Sequence, residues 1–181
     1  SVTEKLSKRK GTAIPLATLV KEIGSDACRY MFLSKSHDSQ VEFDLDLTKK
    51  QSSENPIYYI QYAHARICSI LKSANIKKID YFNNTEKTIY NNQTELELIK
   101  KLIEFPEILE MSSTNLSPHH IPHYSFELAS RFHLFYQHCK VINEDPQNMN
   151  ETISRLLLID ATRIMLDTCL KMMGMTSPEE M

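Results

Sequence analysis

The stretch "NPIYYIQYAHAR", Asn55–Arg66, predicts the start of a long helix and so decides the fold class. Asn55 is a favoured N-cap residue, and Pro56 suits the first helical position because no backbone N–H is needed there. Continued to about residue 74, the helix places aliphatic residues three and four positions apart on one face. This stripe consists of Ile60, Ala63, Ile67, Ile70, Leu71 and Ala74. We interpret it as the face that packs against other helices.

A second row on the same predicted helix carries rings and a positive charge. Tyr58, Tyr62 and Arg66 are four residues apart and lie roughly opposite the aliphatic stripe. An exposed row of this kind can stack on nucleobases, at roughly 1–3 kcal/mol per base, and contact phosphate. Alternatively, another helix or domain covers the row, because tyrosine tolerates half-burial. Periodicity alone leaves both interpretations open.

The composition favours an all-α protein. The chain has 181 residues, of which 41% are hydrophobic and 24% charged, which is enough for one domain with a sizeable core. Only three glycines are present, so tight hairpins and phosphate-cradling loops have few places to form. The formal net charge is −2, and any contact with nucleic acid must therefore come from a local basic patch.

The cysteines and histidines indicate neither a disulfide framework nor a metal site. Cys28, Cys68, Cys139 and Cys169 are scattered without zinc-ligand spacing, which predicts a reducing, cytoplasmic compartment. The histidine-rich segment 119–123 has no matched carboxylate or cysteine, so we expect no metal there. No apolar run reaches membrane length, so we expect no membrane partner. No constellation for a self-contained hydrolase is present.

The hydrophobic pattern predicts an antiparallel helical bundle joined by polar loops. Helices are expected over residues 16–23, 25–34, 55–74, 94–109, 122–139 and 152–173. Thr94 and Glu97 are spaced as a capping box, and Pro106 should kink or interrupt the helix that they open. The alternation of apolar residues over 41–47 indicates a short strand or an extended linker.

The segment "FHLFYQHC", residues 132–139, is open to two interpretations. Leu128, Phe132, Phe135 and Cys139 form one stripe, while Phe132 and Tyr136 lie four residues apart along its edge. The helix has either a broad apolar face that is wholly core or a pair of rings at the rim that accepts a loop of RNA. The pattern does not choose between them.

The segment "KLSKRKG", residues 5–11, holds four basic residues within six positions. Lysine ammonium groups on such a loop suit a transient polyphosphate, whose charge must be neutralised in the transition state. A solvated run of charge is the alternative.

Four stretches, taken together, resemble arginyl-tRNA synthetases. They are "KLSKRKGTAIPLATLVKEIGSDACRYMFL", "FDLDLTKKQSSENPIYYIQYAHARI", "FHLFYQHCKVI" and "RLLLIDATRIMLDTCLKMMGMTSPEEM", in the order and spacing of that family. "KLSK" resembles the class I signature Lys-Met-Ser-Lys. "DATR", residues 160–163, resembles the Asp-Ala-Leu-Arg tetrad of the anticodon-binding domain, with Thr162 in place of leucine.

The resemblance implies roles for particular residues. Lys5 and Lys8 would help to stabilise the ATP phosphates, and Ser7 would shape their loop, in the catalytic machinery of the complete enzyme. Residues that would approach the anticodon loop are Phe132, Tyr136 and the terminal Met181. The row Tyr58, Tyr62 and Arg66 would lie on the same RNA-facing side.

The resemblance also implies an activity for the complete enzyme. Such an enzyme joins arginine to its tRNA with ATP and Mg²⁺, and this chain would be its C-terminal part, a monomer that binds the anticodon arm of arginine tRNA. Residues 1–50 would end the catalytic region, and residues 51–181 would form the anticodon-binding domain. The His-x-Gly-His signature is absent from the 181 residues, so we expect the chain alone not to aminoacylate and to hold no cofactor. The alternative is a helical protein–protein interaction module without RNA binding, because tyrosine and arginine also favour protein interfaces.

Overall fold

The computed structural model describes residues 15–39, 44–83 and 88–181, and these ranges contain helices and no strand. The predicted all-α class is confirmed. The helices are α1 (Leu16–Ile23), α2 (Ser25–Leu33), α3 (Leu45–Lys49), α4 (Pro56–Ile76), α5 (Gln93–Ile103), α6 (Phe105–Thr114), α7 (His120–His138) and α8 (Met149–Met172). A single 3₁₀ turn, Pro146–Asn148, leads into α8.

Helices α4, α5, α7 and α8 form the body of the bundle, and α7 contacts the other three. The predicted aliphatic stripe of α4 does face this core. Ile60, Ala63, Ile67 and Ala74 have no exposed surface, while Ile70 and Leu71 are half-buried at its edge. Burial of this kind stabilises the fold by roughly 25 cal/mol for each Å² of apolar surface removed from water.

The start of α4 is the one that the sequence predicts. The Asn55 side-chain oxygen accepts hydrogen bonds from the backbone N–H groups of Ile57 (3.1 Å) and Tyr58 (3.5 Å). Its amide group donates to the carbonyl oxygens of Thr48 (2.9 Å) and Lys50 (2.8 Å). One buried side chain therefore caps α4 and fixes the end of α3 beside it.

The region around Leu45 corrects one prediction. Instead of a strand or an extended linker, Leu45 and Leu47 lie in the short helix α3. Asp44 caps this helix, because its carboxylate accepts the Leu47 N–H at 2.9 Å. A short helix after an N-cap and an extended strand both allow apolar residues two positions apart, as at Leu45 and Leu47, so this spacing alone does not distinguish them. Val41 and Phe43 lie outside the described residues.

A capping box does begin α5, as predicted, but it is formed by other residues than Thr94 and Glu97. Asn92, not Thr94, is the N-cap of α5, and its side chain accepts the Thr94 N–H at 2.9 Å. Glu95, not Glu97, completes the box by accepting the N–H groups of Asn91 (3.0 Å) and Asn92 (2.9 Å). The interruption expected at Pro106 is confirmed, since α5 ends at Ile103 and α6 starts at Phe105.

The C-terminal end of α4 is closed by a Schellman motif. The N–H groups of Lys78 and Ile79 donate to the carbonyl oxygens of Asn75 (2.9 Å) and Ala74 (3.1 Å). Lys78 therefore has a φ of 55°, in the left-handed region that favours glycine.

Replacing Lys78 with glycine should raise the free energy of unfolding by about 0.5–1 kcal/mol, because the left-handed conformation then carries no Cβ penalty. Urea denaturation of the two chains measures this directly. Lys77→Gly is the matched control: Lys77 has a φ of −77°, so glycine there should not stabilise the chain. If Lys78→Gly lowers the unfolding free energy as Lys77→Gly does, the motif has been assigned wrongly.

Candidate nucleic-acid interface

The basic loop that carries Lys5, Ser7 and Lys8 lies outside the described residues. The site that follows is therefore built from α4, α7, the segment after α4 and the C-terminal tail, residues 174–181.

The row on α4 forms a continuous ring surface beside a cation. The rings of Tyr58 and Tyr62 stack with centroids 5.8 Å apart and planes 9° from parallel. Both rings are half-buried, while Arg66 is exposed. The row is therefore neither sealed in the core nor fully free, and each tyrosine keeps part of one side open to solvent.

Helix α7 brings a further ring to the same place. Tyr136 is half-buried, and the Arg66 guanidinium lies over its ring at 5.1 Å from the centroid. A cation held over a ring in this way contributes about 0.5–1 kcal/mol at an exposed site. No ion-pair partner of Arg66 is found among the described residues, so its charge stays available for an anionic ligand.

Phe132 corrects the prediction of a ring pair at the rim. Its side chain has no exposed surface and belongs to the central core. The Phe132 and Tyr136 rings stack at 6.0 Å, with Tyr136 on the outer side. Phe132 lies inside because α7 packs against α4, α5 and α8 together, which buries more of the circumference of α7 than one stripe predicts. Its place is under the interface, as support for Tyr136.

His133 is a member of the ring surface that periodicity did not single out. Its ring lies 5.9 Å from that of Tyr62, 16° from parallel, and 4.3 Å from that of Tyr59. Its Nε2 donates to the Tyr59 carbonyl oxygen at 3.4 Å. Burial is the largest effect on this imidazole and lowers its pKa, which favours the neutral form of the ring. The sequence places His133 beside Phe132 but carries no signal that joins it to α4.

We call Tyr58, Tyr62, His133, Tyr136 and Arg66 the aromatic tract. Arg66 sits where two grooves meet. One groove, of about 940 Å³, is lined by Tyr62, Arg66, Phe82 and Met181, and we call it the tail groove. The other, of about 650 Å³, is lined by Arg66, Tyr136 and Lys140.

The C-terminal tail places Met181 at the tail groove. The Asp26 carboxylate accepts hydrogen bonds from the Thr176 N–H and hydroxyl, and the Gln61 amide donates to the Thr176 carbonyl oxygen at 3.0 Å. The Nδ1–H of the buried His64 ring donates a hydrogen bond to the Pro178 carbonyl oxygen at 2.8 Å, because a carbonyl oxygen can only accept. Met181 itself is 56% exposed. The tail is thus fixed to α2 and α4, and its last side chain remains accessible.

The charges around the tail groove have both signs. Lys72 is paired with Glu180 at 3.0 Å, which neutralises both side chains at this point. Arg66 and Lys78 line the groove as cations, and Glu179 lines it as an acid. The groove therefore suits a ligand that carries both negative charge and hydrogen-bond donors, and it does not suit a simple polyanion.

The tetrad "DATR" lies on α8, behind the tail groove. Arg163 donates from Nε and Nη2 to one oxygen of the Asp160 carboxylate, both at 2.8 Å. Asp160 is 6% exposed, whereas Arg163 is only half-buried. Thr162 is buried, and its hydroxyl donates to the Leu158 carbonyl oxygen at 2.8 Å. The contacts of the two buried polar side chains, Asp160 and Thr162, are therefore structural.

The described ranges contain neither a membrane-spanning helix nor a group of metal ligands. None of their helices is long and apolar enough to cross a membrane. Nor do these residues contain a group of three histidine, cysteine or acidic side chains that could hold a metal ion.

Comparison with known proteins identifies relatives over nearly the whole chain. An arginine–tRNA ligase of Dehalococcoides mccartyi is 51% identical over 177 residues, which are 98% of this chain and 31% of that protein. One of Carboxydothermus hydrogenoformans is 45% identical over 179 residues, with 98% of this chain and 32% of that protein covered. The chain spans about a third of the length of the curated relatives that it matches.

Solved structures give the same result. A Campylobacter jejuni protein described as an arginyl-tRNA synthetase superposes with a TM-score of 0.80 at 32% identity, over 97% of this chain and 37% of that one. An arginyl-tRNA synthetase of Plasmodium falciparum superposes with a TM-score of 0.73 at 27% identity, over 93% of this chain and 29% of that one.

A family profile described as the DALR anticodon binding domain matches residues 60–181, which is about two thirds of the chain. This range contains most of the aromatic tract, both grooves that meet at Arg66, and the "DATR" tetrad itself. The chain therefore belongs to the DALR anticodon-binding domain family.

Proposed function

We propose that the chain binds the anticodon arm of arginine tRNA through the aromatic tract and the two grooves that meet at Arg66. The observation that carries this proposal is the set of partly accessible rings around the Arg66 guanidinium, which has no ion-pair partner within the described ranges. Unstacked bases of a hairpin loop stack on such rings, and the phosphates between them contact the cation. The similarity to arginine–tRNA ligases supports the choice of RNA over the alternative of a protein-binding module.

The parts of the tract take different roles in this proposal. Tyr62 and Tyr136 accept bases, and Arg66, lying between them, contacts the phosphate that joins those nucleotides. Phe132 supports the Tyr136 ring from the core, and neutral His133 supports Tyr62. Met181, at the end of the fixed tail, packs against a base in the tail groove. The rings give affinity that tolerates several bases, so the reading of particular bases falls to polar groups at the groove edges.

We further propose that a longer protein containing this chain attaches arginine to its tRNA in the cytoplasm, as a monomer. Residues 51–181 then form the RNA-binding domain, and residues 1–50 end the catalytic region. In that reaction ATP with Mg²⁺ would activate the carboxylate of arginine, with pyrophosphate as the leaving group, and Lys5 and Lys8 would help to stabilise the ATP phosphates from the loop that Ser7 shapes. This part of the proposal rests on the sequence resemblance and on the relatives.

The binding proposal is tested by titrating the chain into a labelled anticodon-arm hairpin of an arginine tRNA. A hairpin with the same stem and a scrambled loop is the control. We expect the native loop to bind about tenfold more tightly, because scrambling keeps the stacking on the rings but removes polar contacts to particular base edges, each worth roughly 1–3 kcal/mol of discrimination. Both affinities should fall when the salt concentration rises, while the preference for the native loop persists. Equal affinity for the two loops at both salt concentrations would contradict the proposal.

A further inference from the structure

Two rings after the end of α4 line the tail groove without belonging to the aromatic tract. Tyr81 and Phe82 lie on the segment that follows the Schellman motif, and their ring centroids are 4.7 Å apart. Phe82 is 64% exposed, which is unusual for a phenylalanine, while Tyr81 is half-buried. The segment is polar and rich in asparagine, a composition that predicts a loop with little fixed structure.

The segment is held in place at three points. The Schellman motif at Lys78 sets the direction in which the chain leaves α4. The Asp80 carboxylate accepts the Asn83 N–H at 3.1 Å and its side-chain amide at 2.9 Å, which closes a turn around Phe82. Ile79 packs against the core of the bundle. An exposed ring on a segment fixed in this way is presented to solvent with little conformational freedom.

A further contact joins the Tyr81 ring to the "DATR" tetrad. The buried Asp160 carboxylate makes a hydrogen-bonding contact with the Tyr81 hydroxyl. Burial of Tyr81 is the largest effect that raises the pKa of its phenol, and the Asp160 charge and this hydrogen bond raise that pKa further. Arg163 holds the same carboxylate from the other side at 2.8 Å. The order of contacts is therefore Arg163, Asp160, Tyr81 and then Phe82, from α8 to the mouth of the groove.

The chemistry of the groove selects a nucleobase as the occupant of this place. A flat ring fits on Phe82, and the phosphates on either side of it can reach Arg66 or Lys78, neither of which has an ion-pair partner among the described residues. The carboxylate of Glu179, which repels phosphate, accepts hydrogen bonds from the amino groups of bases. A base with its backbone phosphates satisfies all of these groups together.

We propose that Phe82, supported by Tyr81, is a second stacking platform that receives an unstacked base of the bound RNA in the tail groove. This inference rests on the proposed RNA binding and extends it to a segment outside α4 and α7. Asp160 and Arg163 act as positioning residues, because Asp160 contacts Tyr81, Arg163 holds Asp160, and neither lines the tail groove.

The chain contains no tryptophan, so Phe82→Trp introduces a single fluorescent reporter at the platform. Stacking on a base quenches indole emission. We expect the emission to fall as the anticodon-arm hairpin is added, along the same isotherm as binding measured on the labelled RNA. A blunt RNA duplex of equal length has no unstacked base and should leave the emission unchanged. Ile103→Trp, at a 69% exposed position of α5 that does not line the groove, is the matched control and should not respond.

Affinity gives the second measurement. Phe82→Leu keeps the apolar bulk but removes the aromatic face, and it should weaken hairpin binding roughly 5- to 100-fold, whereas Phe82→Tyr should bind like the wild type. Tyr81→Phe retains the ring and loses the contact with Asp160. In the Phe82→Trp background it should reduce the quenching at saturating RNA while the melting temperature stays close to that of the parent.

The outcomes separate the two proposals. If the wild-type chain binds the hairpin, yet the introduced tryptophan keeps its emission and Phe82→Leu binds equally well, the platform is overturned and RNA binding by the aromatic tract stands. Undiminished quenching with Tyr81→Phe overturns the positioning role of Asp160. If the wild-type chain binds no hairpin at all, both the platform and the proposed function are overturned.

Discussion

Truncating Phe132 to alanine should lower the free energy of unfolding by about 3–5 kcal/mol, because the substitution leaves a cavity in a core that relaxes only in part. Phe132 has no exposed surface and belongs to the hydrophobic core that α7 forms with the neighbouring helices. A loss of this size is a large fraction of the stability of a typical domain. Chemical denaturation followed by circular dichroism measures it.

Phe82→Ala is the matched control for this substitution. It removes the same ring from a position that is 64% exposed, so it should change the unfolding free energy by no more than about 0.5 kcal/mol. Were Phe132→Ala to melt like the wild type and lose only affinity for RNA, its ring would have to lie at the surface. The burial described above would then be wrong.

Glu95→Ala should destabilise the chain to a similar extent, by about 3–5 kcal/mol, because it strips a buried ion pair of one partner. Glu95 is 2% exposed and accepts the Arg155 Nε–H at 2.6 Å. The same carboxylate completes the capping box of α5 through the N–H groups of Asn91 and Asn92. Its removal leaves the Arg155 guanidinium, which is only 14% exposed, with the Glu151 carboxylate and the Lys140 carbonyl oxygen as its partners in the described part of the chain.

The control for Glu95 lies two residues further along the same helix. Glu97 pairs with Arg131 at 2.8 Å, but Arg131 is exposed and Glu97 is only half-buried, so Glu97→Ala should cost less than about 1 kcal/mol. Both variants are compared by urea denaturation at one pH and one salt concentration. Equal and small losses at the two positions would show that the Glu95–Arg155 pair contributes little to the fold.

Local patterns predicted the parts of the fold that local chemistry determines. The Asn55 cap and the aliphatic stripe of α4 depend on residues within a few turns of one another, and both were found where the sequence puts them. The interruption at Pro106 follows from its missing N–H. The short helix α3 was missed because five residues are too few for helical periodicity to be told from alternation.

The errors arose where distant residues choose between equivalent local patterns. Asn92 with Glu95 and Thr94 with Glu97 have the same spacing, and the first pair is used because Arg155, sixty residues away, binds Glu95. Phe132 and Tyr136 lie on the same edge of one stripe. Packing of α7 against several helices at once buries the first and leaves the second half-exposed.

The candidate interface divides in the same way. The row Tyr58, Tyr62 and Arg66 follows from helical spacing alone. Its proximity to Tyr136 and Met181 depends on tertiary contacts, and only the family resemblance indicated it. His133 and Phe82 are recognised as part of the candidate interface only from tertiary contacts, because a single side chain in a helix or a polar loop carries no periodic signal.

The most direct measurement of the central claim compares hairpin affinity and melting temperature in Tyr136→Leu, with Tyr136→Phe as its partner. Tyr136→Leu fills the space over Phe132 but offers no aromatic face to a base or to Arg66. We predict that it weakens binding of the anticodon-arm hairpin roughly 5- to 100-fold while the melting temperature changes little, and that Tyr136→Phe retains the affinity of the wild type. A melting temperature that falls by many degrees with unchanged affinity would contradict the account, because the Tyr136 ring would then serve the core and not the RNA.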